Sequence, residues 1–109
     1  MPRTHTVFLT QDAMDDLEAI YDHIFHHDSP RRADYVVGKI EKTFEKLTLF
    51  PERGAYPFEL LEVGVKEYRE VFFKPYRIIY RIQCNKVYIM MISDGRRDLQ
   101  TLLLRRLLK

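Results

Sequence analysis

The segment 73–98 constrains the fold more than any other part of the chain. In residues 76–82, aromatic and aliphatic side chains alternate with Arg77 and Arg81 at the two-residue period of a β-strand. Residues 87–92 follow after a short turn and are apolar on both faces, which is typical of a central strand covered on both sides. The pattern therefore predicts a β-hairpin at the centre of a sheet, with two arginines on one face of its first strand.

Two amphipathic helices are predicted before this hairpin. Thr10 precedes a run of apolar residues at helical spacing and is a good N-cap for a first helix, which should fade at residues 26–28. Ser29 and Pro30 then start a second helix, which Pro51 stops because proline disfavours helix in the residue before it. Two helices joined by a short turn form an antiparallel hairpin whose apolar stripes need a sheet to cover.

We predict one α+β domain covering residues 1–109, since a chain of this length corresponds to a single domain. An N-terminal strand (5–10) precedes the α-helical hairpin, a three-stranded antiparallel sheet covers 68–92, and a short C-terminal helix covers 99–108. Segment 51–66 is predicted to be irregular. The predicted core consists of Ile20, Ile24, Val36, Ile40, Phe44, Leu47, Ile89 and Met91.

The charge of the chain is distributed unevenly. Residues 1–65 carry 7 Lys and Arg against 12 Asp and Glu, whereas residues 66–109 carry 11 against 4. A basic half of net charge +7 attracts anionic partners, either nucleic acid or an acidic protein segment. The alternative is a solvated surface with internal ion pairs between the two halves.

Arginines of the basic half are the candidate binding residues. Guanidinium groups that converge on one neighbourhood clamp anions bidentately, and alanine at Arg77, Arg81 or Arg97 is then expected to affect binding more than folding. Ion pairing with Glu70, Asp94 or Asp98 is the structural alternative. The full candidate set for partner binding is Arg69, Arg77, Arg81, Arg96, Arg97, Arg105 and Arg106, of which the last two are predicted to point outward.

No cofactor or metal site is predicted. His23 and His27 have a metal-ligand spacing, but no glutamate follows the first histidine and no third ligand is evident. Cys84 is the only cysteine, so no internal disulfide can form, which fits a reducing cytoplasm. No signal peptide and no membrane-spanning stretch are visible. Asp98 is expected to cap the C-terminal helix.

The chain resembles toxins of the RelE/ParE superfamily from bacterial type II toxin–antitoxin modules. The likeness covers nearly the whole chain and is carried by the order and spacing of four segments. These are the helix segment 15–21, the helix stop at 50–54, the arginine strand 76–81 and the turn 95–98.

The resemblance implies one of two activities. RelE-type toxins cleave messenger RNA on the ribosome with basic residues, to which Arg69, Arg77 and Arg97 correspond, and a C-terminal tyrosine or histidine. Here Leu103 stands at the tyrosine position, and no Tyr or His follows Tyr88. The C-terminal sequence is closer to ParE-type toxins, which poison DNA gyrase by binding rather than by turnover.

The resemblance therefore implies a ParE-like gyrase inhibitor that blocks replication. A ribosome-dependent endoribonuclease and a degenerate, non-toxic regulator are the alternatives. The implied partners are a cognate antitoxin and DNA gyrase (or the ribosome and mRNA), with operator DNA contacted only through the antitoxin and no membrane association.

Overall fold

The computed structural model describes residues 4–95 and 99–107. Its elements, in chain order, are β1 (Thr6–Leu9), α1 (Gln11–His27), α2 (Pro30–Glu45), α3 (Phe58–Leu61), β2 (Arg69–Phe73), β3 (Tyr76–Gln83), β4 (Lys86–Asp94) and α4 (Leu99–Leu107), with a 3-10 turn at Lys46–Thr48 after α2. The predicted α+β class and order are confirmed. The exception is α3, which lies in the segment that was predicted to be irregular.

The two long helices begin at the residues that their capping patterns indicate. The Thr10 hydroxyl accepts a hydrogen bond from the backbone N–H of Ala13 at 3.2 Å. The Ser29 hydroxyl accepts one from the N–H of Arg32 at 3.0 Å, and Pro30 occupies the first turn. Each cap satisfies one of the backbone donors that a helix start leaves without a partner. The predicted starts of α1 and α2 are therefore confirmed.

The sheet differs from the prediction. It is four-stranded and mixed, in the order β1-β4-β3-β2, and β1 pairs in parallel with residues 86–89 of β4. The three predicted antiparallel strands are present as β2, β3 and β4, but the prediction that the sheet has only these three strands is wrong, because β1 is its fourth strand. The physical reason is that β4 is central, so its edge away from β3 would carry unpaired backbone groups without β1.

Both faces of the sheet are covered, as the apolar composition of β4 predicts. On one face, Ile24, Val36, Ile40, Phe44 and Leu47 of the helical layer join Ile78, Tyr80, Val87, Ile89 and Ile92, with Ile20 packed against them. On the other face a second cluster contains Leu60, Tyr68, Ile79, Met91 and Leu103. All predicted core residues are confirmed, but Met91 belongs to the second cluster.

Tyr80 fixes the loop that runs along the outer edge of β2. Its hydroxyl donates to the Pro51 carbonyl at 2.6 Å and accepts from the Gly54 N–H at 3.0 Å. A β-carbon at Gly54 would lie 2.5 Å from that hydroxyl and 2.6 Å from the Glu70 carbonyl, so only glycine fits. Ala55 then bridges to Glu70 through both of its backbone groups. Loop 51–56 is thereby held against the start of β2.

No helix within the described ranges is both long enough and apolar enough to cross a lipid bilayer.

Candidate partner-binding surface

Arg77 lies at the centre of an ion triad on the sheet face opposite α1 and α2. Its guanidinium group donates to both oxygens of Glu59, at 2.5 and 2.8 Å. It also donates from Nε and Nη2 to Oε2 of Glu70, at 2.9 and 2.5 Å. The Arg77 side chain is only 13% exposed, so the structural alternative of ion pairing with Glu70 is observed, together with a second partner.

The triad contains two carboxylates and one cation. Their hydrogen bonds and their burial shift the pKa values of all three groups. Hydrogen bonds from Arg77 lower the pKa of Glu59. Burial raises the pKa of Glu70, and the hydrogen bond from Arg77 only partly offsets it. The pKa of Arg77 lies above its usual value because Glu59 and Glu70 accept its hydrogen bonds. Arg77 is thus neutralised within the fold, and its guanidinium donors face protein carboxylates.

A second group of cations lines a surface cavity of about 300 Å³ where β3 extends past β2. The pairing of these strands ends at Arg69 and Tyr80, which leaves Arg81 on the open edge of β3. The cavity is lined by Tyr56, Lys66, Glu67, Arg69, Arg81 and Ile82. Three cations surround this cavity and one carboxylate lies beside them, so the cavity is electropositive.

Arg69 is held in place by neutral acceptors. Its Nη1 donates to the carbonyls of Gly54 and Glu52 at 2.9 and 3.2 Å, and its Nη2 donates to the Tyr56 hydroxyl at 3.2 Å. The guanidinium carbon also lies 4.6 Å from the centre of the Tyr56 ring. These contacts orient Arg69 but add no negative charge, so its positive charge remains available to the cavity.

Helix α4 is fixed to the rest of the molecule through Arg106. This side chain forms two hydrogen bonds of 2.7 Å with the carboxylate of Asp16. One oxygen of Asp16 also accepts from the backbone N–H of Ile92 at 2.9 Å. The outward orientation predicted for Arg106 is therefore wrong, because Asp16 offers a bidentate partner. Arg105 is exposed as predicted.

Leu103 occupies the α4 position where the resemblance to a nuclease requires a tyrosine. Its side chain is completely buried and packs with Leu60, Ile79 and Met91. A side chain with this role stabilises the core and does not reach a substrate.

The remaining candidates lie elsewhere in the structure. Arg96, Arg97 and the expected helix cap Asp98 lie outside the described residues. The rings of His23 and His27 stack with centroids 4.3 Å apart, and among the described residues no three His, Cys, Asp or Glu side chains form a metal-binding group. Cys84 is exposed in the β3–β4 turn.

Two partners in these contacts were missed by the sequence interpretation. Glu59 was missed because α3, which carries it, lies in a segment with no helical periodicity long enough to detect. Asp16 was interpreted only as an acidic residue near the N-terminal end of α1, where it favours the helix dipole. Its spacing to Leu17 and Ile20 places it beside the apolar stripe, which is the one signal of an inward role.

Solved chains from two toxin–antitoxin systems share this class of fold. The structure superposes with a TM-score of 0.70 on a chain of the chromosomal ParDE toxin–antitoxin system of P. aeruginosa, covering 84% of this chain and 97% of that chain at 23% identity. It superposes with a TM-score of 0.57 on a chain of the RelBE2 toxin–antitoxin complex of Mycobacterium tuberculosis, covering 84% and 98% at 23% identity. These likenesses show a shared fold.

The sequence narrows this class to one family. The family described as the ParE toxin of the type II toxin–antitoxin system parDE matches residues 7–99. The chain is also 27% identical over 93 residues to Toxin ParE3 of Caulobacter vibrioides, covering 85% of this chain and 89% of that protein. The chain therefore belongs to the ParE toxin family of type II toxin–antitoxin systems, as the resemblance implied.

Proposed function

We propose that this toxin inhibits DNA gyrase and thereby blocks replication, and that a cognate antitoxin neutralises it in the bacterial cytoplasm. Membership of the ParE family supports the gyrase target over the ribosome. The relatives named above support an antitoxin partner, since two of them come from toxin–antitoxin systems.

The observation that carries the proposal is the occupation of two positions that a messenger RNA nuclease would need. Leu103 is buried in the core where the nuclease tyrosine is expected. Arg77, which corresponds to a basic position of the nuclease type, is neutralised by Glu59 and Glu70. A cation already paired with two carboxylates has little capacity left for a scissile phosphate.

The mechanism that follows is binding without turnover. The toxin holds gyrase in its DNA-cleaved state, and no side chain of the toxin needs to transfer a proton. The available positive charge lies on Arg69, Arg81 and Arg105, and we propose that partner contacts involve these residues before Arg77 and Arg106, whose guanidinium groups are paired. Arg96 and Arg97 remain proposed contacts from the sequence.

Two assays with the purified toxin test this function. In the first, gyrase supercoils relaxed plasmid in the presence of increasing toxin, and we expect lost supercoiling or accumulated cleaved DNA. In the second, ribosomes carrying a defined messenger RNA are incubated with the toxin, and primer extension should detect no cuts. The antitoxin, added at equal concentration, should restore supercoiling. Codon-positioned cuts with unaffected gyrase would instead assign the ribonuclease activity.

A further inference from the structure

We propose that the cavity around Arg81 receives an acidic side chain of the antitoxin, and that the exposed apolar side chains beside it are covered by the same antitoxin segment. This inference rests on the proposed toxin–antitoxin function and assigns a surface to it. The surface comprises the cavity-lining cations Lys66, Arg69 and Arg81 and an apolar ridge on segment 57–65, which carries Phe58, Leu61 and Val63.

Two arginines on one strand differ in whether the fold gives their guanidinium groups a carboxylate partner. Arg77 and Arg81 are four residues apart on the same face of β3, and the fold gives Arg77 two carboxylate partners. Arg81 is partly buried and its backbone pairs with β4, yet its guanidinium group has no hydrogen-bond or ion-pair partner among the described residues. An arginine at a partly buried position without an acceptor loses part of its hydration and gains no hydrogen bond in exchange. An external anion would supply the missing acceptor.

The cations that line the cavity also repel one another. Lys66, Arg69 and Arg81 line one cavity of about 300 Å³, and only Glu67 lies among them. Like charges that line one cavity repel one another in the free protein, and a bound carboxylate offsets that repulsion. Arg69 is already oriented by three hydrogen bonds, so an incoming carboxylate meets a preorganised donor.

The charges beside the cavity favour a protein over a nucleic acid as its ligand. Segment 57–67 joins two walls of the cavity and exposes the carboxylates of Glu62 and Glu67, whereas Glu59 is paired with Arg77. A phosphodiester chain crossing this segment would be repelled along its length, whereas a single carboxylate enters the cavity alone. The same segment exposes Phe58 (67%), Leu61 (40%) and Val63 (49%), which suit apolar side chains of a peptide.

The exposed apolar side chains favour the antitoxin over the target as the protein that binds here. Large apolar side chains that are exposed on one short segment, as Phe58, Leu61 and Val63 are, favour aggregation of a protein that remains alone in solution. A partner that is bound most of the time protects such a surface, and permanent interfaces are accordingly more apolar than transient ones. The antitoxin is the permanent partner in the proposed function, whereas gyrase is met only when the toxin is released.

The test compares charge reversals inside and outside the cavity. Arg81→Glu and Lys66→Glu are made in the full chain, with Lys42→Glu on the exposed surface of α2 as the matched control. Binding of the cognate antitoxin is measured by calorimetry at two salt concentrations. We expect the cavity variants to bind at least about tenfold more weakly, with a smaller dependence on salt, and the control to bind like wild type. Arg81→Gln serves where circular dichroism shows that Arg81→Glu does not fold.

Each other outcome overturns the assignment. Unchanged antitoxin affinity in Arg81→Glu or Arg81→Gln rejects the cavity as the docking site and leaves the proposed function standing. Loss of gyrase inhibition, or of binding to a labelled single-stranded RNA 12-mer, with unchanged antitoxin affinity assigns the cavity to gyrase or to nucleic acid. Failure of wild-type toxin to bind the antitoxin at all rejects the proposed function as well, so the two failures are distinguishable.

Discussion

Replacement of Arg77 by methionine tests whether this arginine belongs to the fold. Methionine fills most of the space of the aliphatic stem but supplies no donor, so Glu59 and Glu70 lose the cation between them. Their side chains are only 22% and 8% exposed. The variant therefore leaves two neighbouring carboxylates partly desolvated and mutually repulsive.

The expected cost follows from this burial. Removal of one partner from a buried ion pair typically destabilises a protein by about 3–5 kcal/mol. Glu59 retains some contact with water, which screens its charge. We therefore expect Arg77→Met to lower the free energy of unfolding by about 2–4 kcal/mol at neutral pH. In a domain of this size that corresponds to a melting temperature lower by roughly 8–20 °C.

The loss of unfolding free energy in Arg77→Met should depend on pH, and the pKa shifts determine its direction. In the wild type the pKa of Glu59 is lowered, so its contribution to stability is present above its unfolded pKa and is lost as the pH falls. The raised pKa of Glu70 acts in the opposite direction, and stability falls as the pH rises through it. Without Arg77 the pKa values of both carboxyls rise, so the folded variant binds protons more readily than its unfolded chain. The deficit, which is the difference in unfolding free energy between wild type and variant, should therefore shrink as the pH is lowered from about 7 to about 5.

Urea unfolding followed by circular dichroism at both pH values measures this deficit. Arg81→Met is the matched control, because Arg81 lies on the same strand face without a carboxylate partner in the described structure, and its replacement should change stability by under about 0.5 kcal/mol. If Arg77→Met and Arg81→Met have equal stability, or if the deficit of Arg77→Met does not change with pH, the triad does not stabilise the fold as argued here.

Two further predictions concern packing. Phe44→Ala should lower the unfolding free energy by about 3–5 kcal/mol because Phe44 is buried between the helical layer and the sheet, whereas Phe50→Ala at an exposed position should have little effect in the same urea titration. Gly54→Ala should lower the melting temperature because its β-carbon would collide with the Tyr80 hydroxyl, whereas Gly38→Ala in the middle of α2 meets nothing within 4 Å and should raise it by removing a helix-weakening glycine. Equal shifts at the two glycines would contradict the packing described around Tyr80.

The helices and the β3–β4 hairpin could be predicted because their signals are local. Thr10 and Ser29 are caps that act within one turn, and the period of the apolar residues in α2 is independent of the rest of the molecule. The apolar composition of β4 indicated cover on both faces, and both clusters confirm it. Each of these features is determined by residues close together in the chain.

The features that could not be predicted depend on contacts between distant segments. β1 has four residues and pairs with a strand about 80 positions later, and nothing in those four residues specifies a parallel partner. Helix α3 has one turn, too short for a period to be visible, and its position depends on Leu60 and Glu59 contacting the far face of the sheet. Glu59 and Asp16, which pair with Arg77 and Arg106, were accordingly not identified.

The charge asymmetry of the sequence has two separate physical origins. Glu59 and Asp16 lie in the acidic half and pair with Arg77 and Arg106 in the basic half, so part of the asymmetry is internal neutralisation. These pairs connect α3 to β3 and α4 to α1, and both contribute to covering the second face of the sheet. The positive charge that remains concentrated is the charge around Arg81, where carbonyls, a phenol ring and one exposed carboxylate are the neighbours. A binding surface is therefore better recognised by cations that the fold leaves unpaired than by their density along the sequence.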